Sequence, residues 1–240
     1  MMRSGLFLCA AAMALFLVSG CDKHAQDKKL ISDAWDSYHN GNVDHKGDQV
    51  AKVLSQKSMD RYTRLLKIAL EAPKTKTLDL PPSDMEEVLK MRHRLKRSEY
   101  RNIDGKAYLI LATNKGFYED DDPTWKLTEI KIAADRGTAT VYNPEWEKAA
   151  NSSGFARSLT GSRYRAAGIG LDQKPPRYSV DLVKEGGDWK IDEPSMIEWW
   201  DKRRRAEAKE ARMSMRDFLM AEEMERTGED VPMSIWDAKP

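Results

Sequence analysis

After an unbroken apolar stretch from Leu6 to Val18, hydrophobic positions recur every three or four residues to about residue 95. They then alternate, and finally return to the longer interval. Ile31, Ala34, Trp35 and Tyr38 fall at i, i+3, i+4 and i+7 and predict a helix, which Asn40-Gly41-Asn42 stops. Asp48 caps a second helix carrying Val50, Val53 and Leu54. Ser58 opens a third, with Met59, Tyr62, Leu65, Leu66, Ala69 and Leu70 on one side; Pro73 and the Lys/Thr-rich stretch to Pro82 end it. Ser83-Asp84-Met85-Glu86 has the form of a capping box and starts a fourth helix, with Met85, Val88, Leu89 and Leu95 inward. Its other face carries Lys90, Arg92, Arg94, Lys96 and Arg97, read as a solvated face with a binding patch as the alternative.

From Ala107 the interval shortens. Tyr108 to Ala112 is an apolar run consistent with a buried strand. Trp125 to Ala134 places Thr128, Ile130, Ile132 and Ala134 on one face, Asp135-Arg136-Gly137 turns the chain, and Thr138 to Tyr142 returns with Ala139 and Val141 alternating. Residues 143–176 are irregular. Tyr178, Val180 and Leu182 alternate with polar neighbours, and Gly186-Gly187-Asp188 turns into Trp189-Lys190-Ile191, a hairpin pattern. Pro194-Ser195-Met196-Ile197-Glu198 is a second capping box and launches a charged helix to Arg212. Ser214 to Asp217 repeats the signal for a last helix, with Met215, Phe218, Leu219 and Glu222 inward until Thr227-Gly228; residues 229–240 read as loosely structured. Helices, then an antiparallel meander, then helices predict an α+β fold: N-terminal helices packed on a curved antiparallel sheet, followed by a charged helical C-terminal extension.

The apolar stretch sets the boundaries. Arg3, the short apolar core and the small residues before a cut site read as a secretory signal peptide, too short for a mature bilayer span of about 20 residues. Val18-Ser19-Gly20-Cys21 resembles a bacterial lipobox. The resemblance implies cleavage before Cys21, a diacylglycerol on its thiol and often a further acyl chain such as palmitate on its amino group. Asp22 resembles the signal that retains a lipoprotein at the inner membrane, with the outer membrane as the alternative. The chain therefore divides into a signal peptide (1–20), a lipidated tether (21–29), an α+β domain (30–193) and the helical extension (194–240).

Charge and cysteine content narrow the chemistry. The chain carries 40 Lys+Arg and 39 Asp+Glu; Arg3 is the only charge before Cys21, so the processed chain balances and gives no electrostatic footprint for nucleic acid. Of the two cysteines, Cys9 leaves with the signal peptide and Cys21 is consumed by lipid, so no disulfide or cysteine metal site is expected. His24, His39, His45 and His93 lack metal spacing. Glu119-Asp120-Asp121-Asp122 lacks the alternation and glycine of a calcium loop and reads as a solvated loop, with weak divalent-cation binding as the alternative. Gly168-Ile169-Gly170 lacks the third glycine of a dinucleotide loop, and Ser152, Ser153, Ser158 and Ser162 lack a nucleophile context. No cofactor is expected.

Three segments carry a further resemblance: Ala34-Trp35-Asp36-Ser37-Tyr38-His39-Asn40-Gly41-Asn42, Tyr178-Ser179-Val180-Asp181-Leu182-Val183 and Gly187-Asp188-Trp189-Lys190-Ile191-Asp192. Residues 30–193 resemble the nuclear-transport-factor-two-like (cystatin-like) superfamily, and within it small bacterial lipoproteins. The resemblance implies a sheet curved around a long helix, leaving a cone-shaped pocket in which enzymes of the superfamily place an acid or a His–Asp pair. Segment 143–176 and the extension after Met196 depart from that pattern.

Two functions follow as expectations. One is a membrane-held, non-enzymatic binding or assembly module, anchored through Cys21 and touching an envelope partner through Met215, Phe218, Leu219, Met220 and Trp236. The other is a small-molecule binder or pocket enzyme with an acidic group in a cavity lined by Trp35, Tyr38, Tyr62, Tyr108, Trp125, Tyr178 and Trp189. Core packing is the competing role for each of those aromatics.

Overall fold

A computed structural model of the chain describes residues 24–118, 125–144 and 177–237. Cys21, Asp22, the acidic run 119–122, Gly168-Ile169-Gly170 and the serines between 152 and 162 lie outside them. The fold is α+β: among the described residues, nine α-helices accompany one four-stranded antiparallel sheet.

Helix α1 (Ala25–Val43) buries Ile31, Ala34 and Trp35, as the periodicity predicts, but it is longer at both ends. The polar residues expected to form a tether begin the helix, because Asp27 has partners on the sheet: its Oδ1 accepts from Trp189 Nε1 at 2.7 Å and from Lys184 Nζ at 3.0 Å. Helix α2 (Gly47–Val53) starts at Lys46 rather than at an Asp48 cap; Asp48 instead sits in the first turn, where the helix dipole favours an anion.

Helix α3 (Gln56–Glu71) is capped by Ser55, whose side chain accepts from Ser58 N. The short α4 (Lys74–Leu78) fills part of the stretch expected to be irregular. Helix α5 (Pro82–Arg94) begins on Pro82, a residue whose fixed φ suits a first helical position. No capping box forms there; Ser83 N donates to Asp201 Oδ1 at 2.6 Å. Helix α6 (Arg97–Tyr100) is a single turn.

The apolar run Tyr108 to Ala112 is helical, not a strand: it lies within α7 (Gly105–Asn114). Asp104 caps that helix, accepting from Ala107 N at 2.8 Å. Burial of Tyr108, Leu109 and Ala112 against α2 and α3 then fixes it. Gly105 permits the approach to α3, since a Cβ there would stand 2.6 Å from Thr63 N.

Strands β1 (Lys126–Ala133), β2 (Arg136–Tyr142), β3 (Tyr178–Glu185) and β4 (Asp188–Asp192) pair in chain order as a meander. Ala139 and Val141, then Tyr178, Val180 and Leu182, point inward as predicted. Gly186 and Gly187, at φ 59° and 92°, make the β3–β4 turn. In β1 the phase changes. Thr128 opposes Thr140 while Lys131 opposes Thr138, so two β1 residues face one on β2, a bulge with Glu129 at φ 51°. Leu127, Ile130 and Ile132 therefore pack on the core, and neither Thr128 nor the exposed Ala134 shares their face. Beyond β4, Leu54 adds one parallel bridge to Ile191, and Ser55 N donates to Ile191 O at 2.9 Å.

Helix α8 (Pro194–Glu210) lies on β3 and α5. Ser195 forms no capping box; its Oγ accepts from Asp181 N and donates to Asp192 O. Helix α9 (Met215–Thr227) is capped by Ser214 as predicted and ends at Gly228 in the left-handed region. A 3₁₀ turn (Met233–Trp236) follows.

The interior has two clusters. The larger joins α1, α2, α3, α7, the inner face of the sheet and Met196. The smaller joins Met85 and Leu89 of α5 with Leu219, Met220, Val231, Ile235 and Trp236. Segment 229–237 is thus not loose, since Trp236 is fully buried.

Helix α5 runs between the two clusters, which explains the fate of its basic face. Lys90 and Arg92 are buried, and only Lys96 of the five remains fully exposed. The periodicity of α5 alone could not reveal that Val231, Ile235 and Trp236 pack there.

Candidate functional site

The seven aromatic residues expected to line a pocket do not form one ring. They fall into pairs inside the larger cluster: Trp35 with Tyr38 (centroids 5.8 Å apart), Tyr62 with Tyr108 (5.9 Å) and Trp125 with Tyr178 (5.6 Å). Trp189 lies apart from these pairs, donating to Asp27 beneath the Lys184 ammonium. Trp35, Tyr62, Tyr108, Tyr178 and Trp189 are buried, while Tyr38 and Trp125 are partly so.

Where α3, α5 and α7 meet, the interior is polar. Glu87 of α5 is 5% exposed, and its Oε1 accepts from the hydroxyls of Tyr108 and Tyr118, the latter at 2.8 Å. Tyr62 OH donates to Glu193 Oε1 at 3.2 Å, just before α8. Beside it, Asp84 holds Arg61 Nε at 2.8 Å and Arg64 Nη2 at 2.6 Å, and the Arg61 guanidinium lies 5.2 Å from the Tyr62 ring centre.

Burial pushes the phenols of Tyr62, Tyr108 and Tyr118 well above the usual range. The neighbouring carboxylates, Glu193 at Tyr62 and Glu87 at the other two, push the same way. The three hydroxyls therefore stay protonated donors at neutral pH. Two of them are committed to Glu87, which holds that acid in place.

A second polar joint ties the start of α3 to the end of β4. Ser55 Oγ donates to Asp192 Oδ1 at 2.9 Å, Glu193 N donates to Ser58 Oγ at 3.1 Å, and Lys57 pairs with Asp192 at 2.8 Å. The serine expected to cap α3 thus anchors the sheet, one turn from the true cap.

A third set crosses α5, α8 and α9. Glu86 meets Lys90 (2.9 Å) and Arg204 (3.2 Å), and Arg204 also meets Glu222 (2.7 Å). Glu223, 3% exposed, accepts from Arg94 and faces His93 Nδ1 at 2.9 Å. Burial raises the Glu86 carboxyl, but Lys90, Arg204 and Arg226 outweigh it and hold it far below the usual range. The same contest lowers Glu223, where the Arg94 and His93 hydrogen bonds prevail. At Glu222 burial prevails over Arg204, and its carboxyl is raised.

Arg92 has no carboxylate in hydrogen-bond reach among its described partners. Its guanidinium donates to the carbonyls of Ile68, Ala69 and Ala72 at the end of α3, and to those of Ile235 and Trp236. Burial lowers its pKa.

The five residues expected to touch a partner lie mostly within this assembly. Leu219, Met220 and Trp236 are buried, Met215 and Phe218 pack against them, and Trp236 Nε1 donates to Met220 Sδ at 3.2 Å. The apolar stripe of α9 is covered by α5 and the 3₁₀ turn. By contrast Trp199 and Trp200, which the sequence pattern does not single out, stand edge to face at 4.7 Å against Tyr178, with Arg203 5.8 and 5.3 Å from the two indoles. Two adjacent indoles within a strongly charged helix are the signal that could have found them.

Among the described residues no group of three or more His, Cys, Asp and Glu side chains is placed to hold a metal ion, and no helix is long and apolar enough to cross a membrane. No known protein family matches the chain, and neither a curated protein nor a solved structure matches it.

Proposed function

We propose that this chain is a lipid-anchored envelope protein whose domain serves as a non-enzymatic binding or assembly module held against a membrane, on the periplasmic face of the inner membrane if Asp22 acts as the retention signal. The observation that carries the reading is the junction of anchor and domain. The lipobox-like Val18-Ser19-Gly20-Cys21 stands four residues before α1, and the first turn of α1 is fastened to the sheet through Asp27. A domain attached in that way works at the bilayer surface. Stable anchoring generally needs more than one acyl chain, which a triacylated Cys21 supplies.

The alternative is a pocket enzyme or small-molecule binder of the cone-shaped superfamily, and Glu87 is the acid it would employ. Against it stands the commitment of Glu87 to Tyr108 and Tyr118, which occupy the acceptor a substrate would need.

The test is metabolic labelling with palmitate followed by membrane fractionation and cross-linked pull-down. Label and membrane association are expected in the wild type and absent from Cys21→Ser, with co-purifying envelope proteins lost together with the anchor. Label retained by Cys21→Ser would refute the anchor, and an identical partner set from unanchored protein would refute an assembly role that depends on the membrane.

A further inference from the structure

The anchor and the clamp on α1 together restrict how the domain can sit. Cys21 lies four Cα steps from Ala25, so whatever path the chain takes the two are within roughly 14 Å. The first turn of α1 is fixed by two donors on one carboxylate oxygen, Trp189 Nε1 at 2.7 Å and Lys184 Nζ at 3.0 Å. Both donors flank the Gly186–Gly187 turn, and Trp189 is only 3% exposed.

The α2–α3 junction joins the same end of the molecule. Glu185 accepts from Gln56 N at 3.0 Å, and Lys190 Nζ donates to Lys52 O at 2.8 Å. The groups presented here are of both signs, as in a layer of zwitterionic headgroups: Leu30 is 40% exposed, the side chains of Lys29 and Lys57 are 74% and 66% exposed beside their partners Asp33 and Asp192, and that of Asp188 is 74% exposed beside Lys190.

The opposite end is equally defined. Along β3, away from the turn, Ser195 bonds Asp181 and Trp199 stacks on Tyr178, so α8 runs away from that turn. It continues to Glu210, about 16 Å beyond Trp199 at the helical rise. The exposed Met213 follows in the α8–α9 turn.

We infer that the β3–β4 turn, the first turn of α1 and the α2–α3 junction form the face that rests on the phospholipid headgroups, with the α8–α9 turn directed away from the bilayer. Asp27 is the positioning residue that holds this pose. The inference rests on the anchor reading above.

The experiment uses the full acylated chain in vesicles of phosphatidylethanolamine and phosphatidylglycerol that carry a headgroup-located quencher lipid. A fluorophore is attached at Asp188→Cys or at Met213→Cys, acylated Cys21 leaving no competing thiol. The Asp188→Cys label is expected to lose emission and the Met213→Cys label to keep it, with both proteins floating with the vesicles. Adding Asp27→Ala should erase the difference between the two sites while leaving flotation unchanged. Equal quenching at both sites in the otherwise unaltered chain, or stronger quenching at Met213→Cys, overturns the orientation alone. Failure of the chain to float overturns the anchor and the orientation with it.

Discussion

Tyr108 and Glu87, on α7 and α5, meet inside the protein with the phenol donating to the carboxylate, and Tyr118 donates to the same oxygen. A buried acceptor deprived of a donor costs about 1–3 kcal/mol. Tyr108→Phe and Tyr118→Phe are each expected to lower stability in urea unfolding by an amount in that range. The double variant should lose more than the sum of the two, because it strips Glu87 of both phenol donors at once. Strictly additive losses would show that the three groups do not act as a network.

Arg92 makes a second kind of internal joint. Arg92→Met removes every donor that links α3 to residues 235 and 236 while roughly keeping volume, and Trp236→Ala opens a cavity expected to cost about 3–5 kcal/mol. Each variant should lower the thermal midpoint, and the pair should lose less than the sum because both loosen the same segment. A midpoint unchanged in Arg92→Met would mean that its carbonyl contacts contribute nothing net.

Acid should loosen the α5–α8–α9 ion pairs. Glu86 and Glu223 titrate below their unfolded value of 4.5 in the native state, so their contribution is present above that pH and fades as pH falls below it. Glu222 is raised by burial and acts in the opposite sense, its penalty shrinking as pH falls through its native pKa. Glu223→Gln should be less stable than the wild type at pH 7, with the gap narrowing at about pH 3.5 in denaturant titrations. A gap independent of pH would remove Glu223 from the acid response.

Two glycines should respond differently to alanine. At Gly105 the new methyl meets the α3 backbone, with Thr63 N at 2.6 Å, and overpacking of this kind costs about 1–3 kcal/mol. At Gly187 a methyl would find open space, with nothing within 4 Å, but the residue sits at φ 92°, so Gly187→Ala incurs backbone strain only, about 1 kcal/mol. Chevron or equilibrium unfolding of the two variants would separate these costs, and equal losses would contradict the difference in packing.

These joints explain which parts of the fold sequence could reveal. The hairpin around Gly186–Gly187, the inward set of α3 and the Ser214 cap are legible because each rests on local chemistry and a single-sided core. Residues 108–112 mislead because five apolar residues fit a buried strand or a buried helix equally. Asp104 and Gly105, just upstream, carry the deciding signal. The basic face of α5 misleads for another reason: its burial depends on a segment about 140 residues later, and no periodicity within α5 records that partner. In β1 a single left-handed residue, Glu129, shifts the inward set by one position.

The carbonyls that satisfy Arg92 are made at separate times in synthesis: three arise before Arg92 itself, with α3, and two long after it. A partly made chain thus carries α3 and α5 with an apolar flank and a guanidinium awaiting their cover. Such a chain reaches its final packing only when residues 235 and 236 arrive, and it is vulnerable to proteolysis until then.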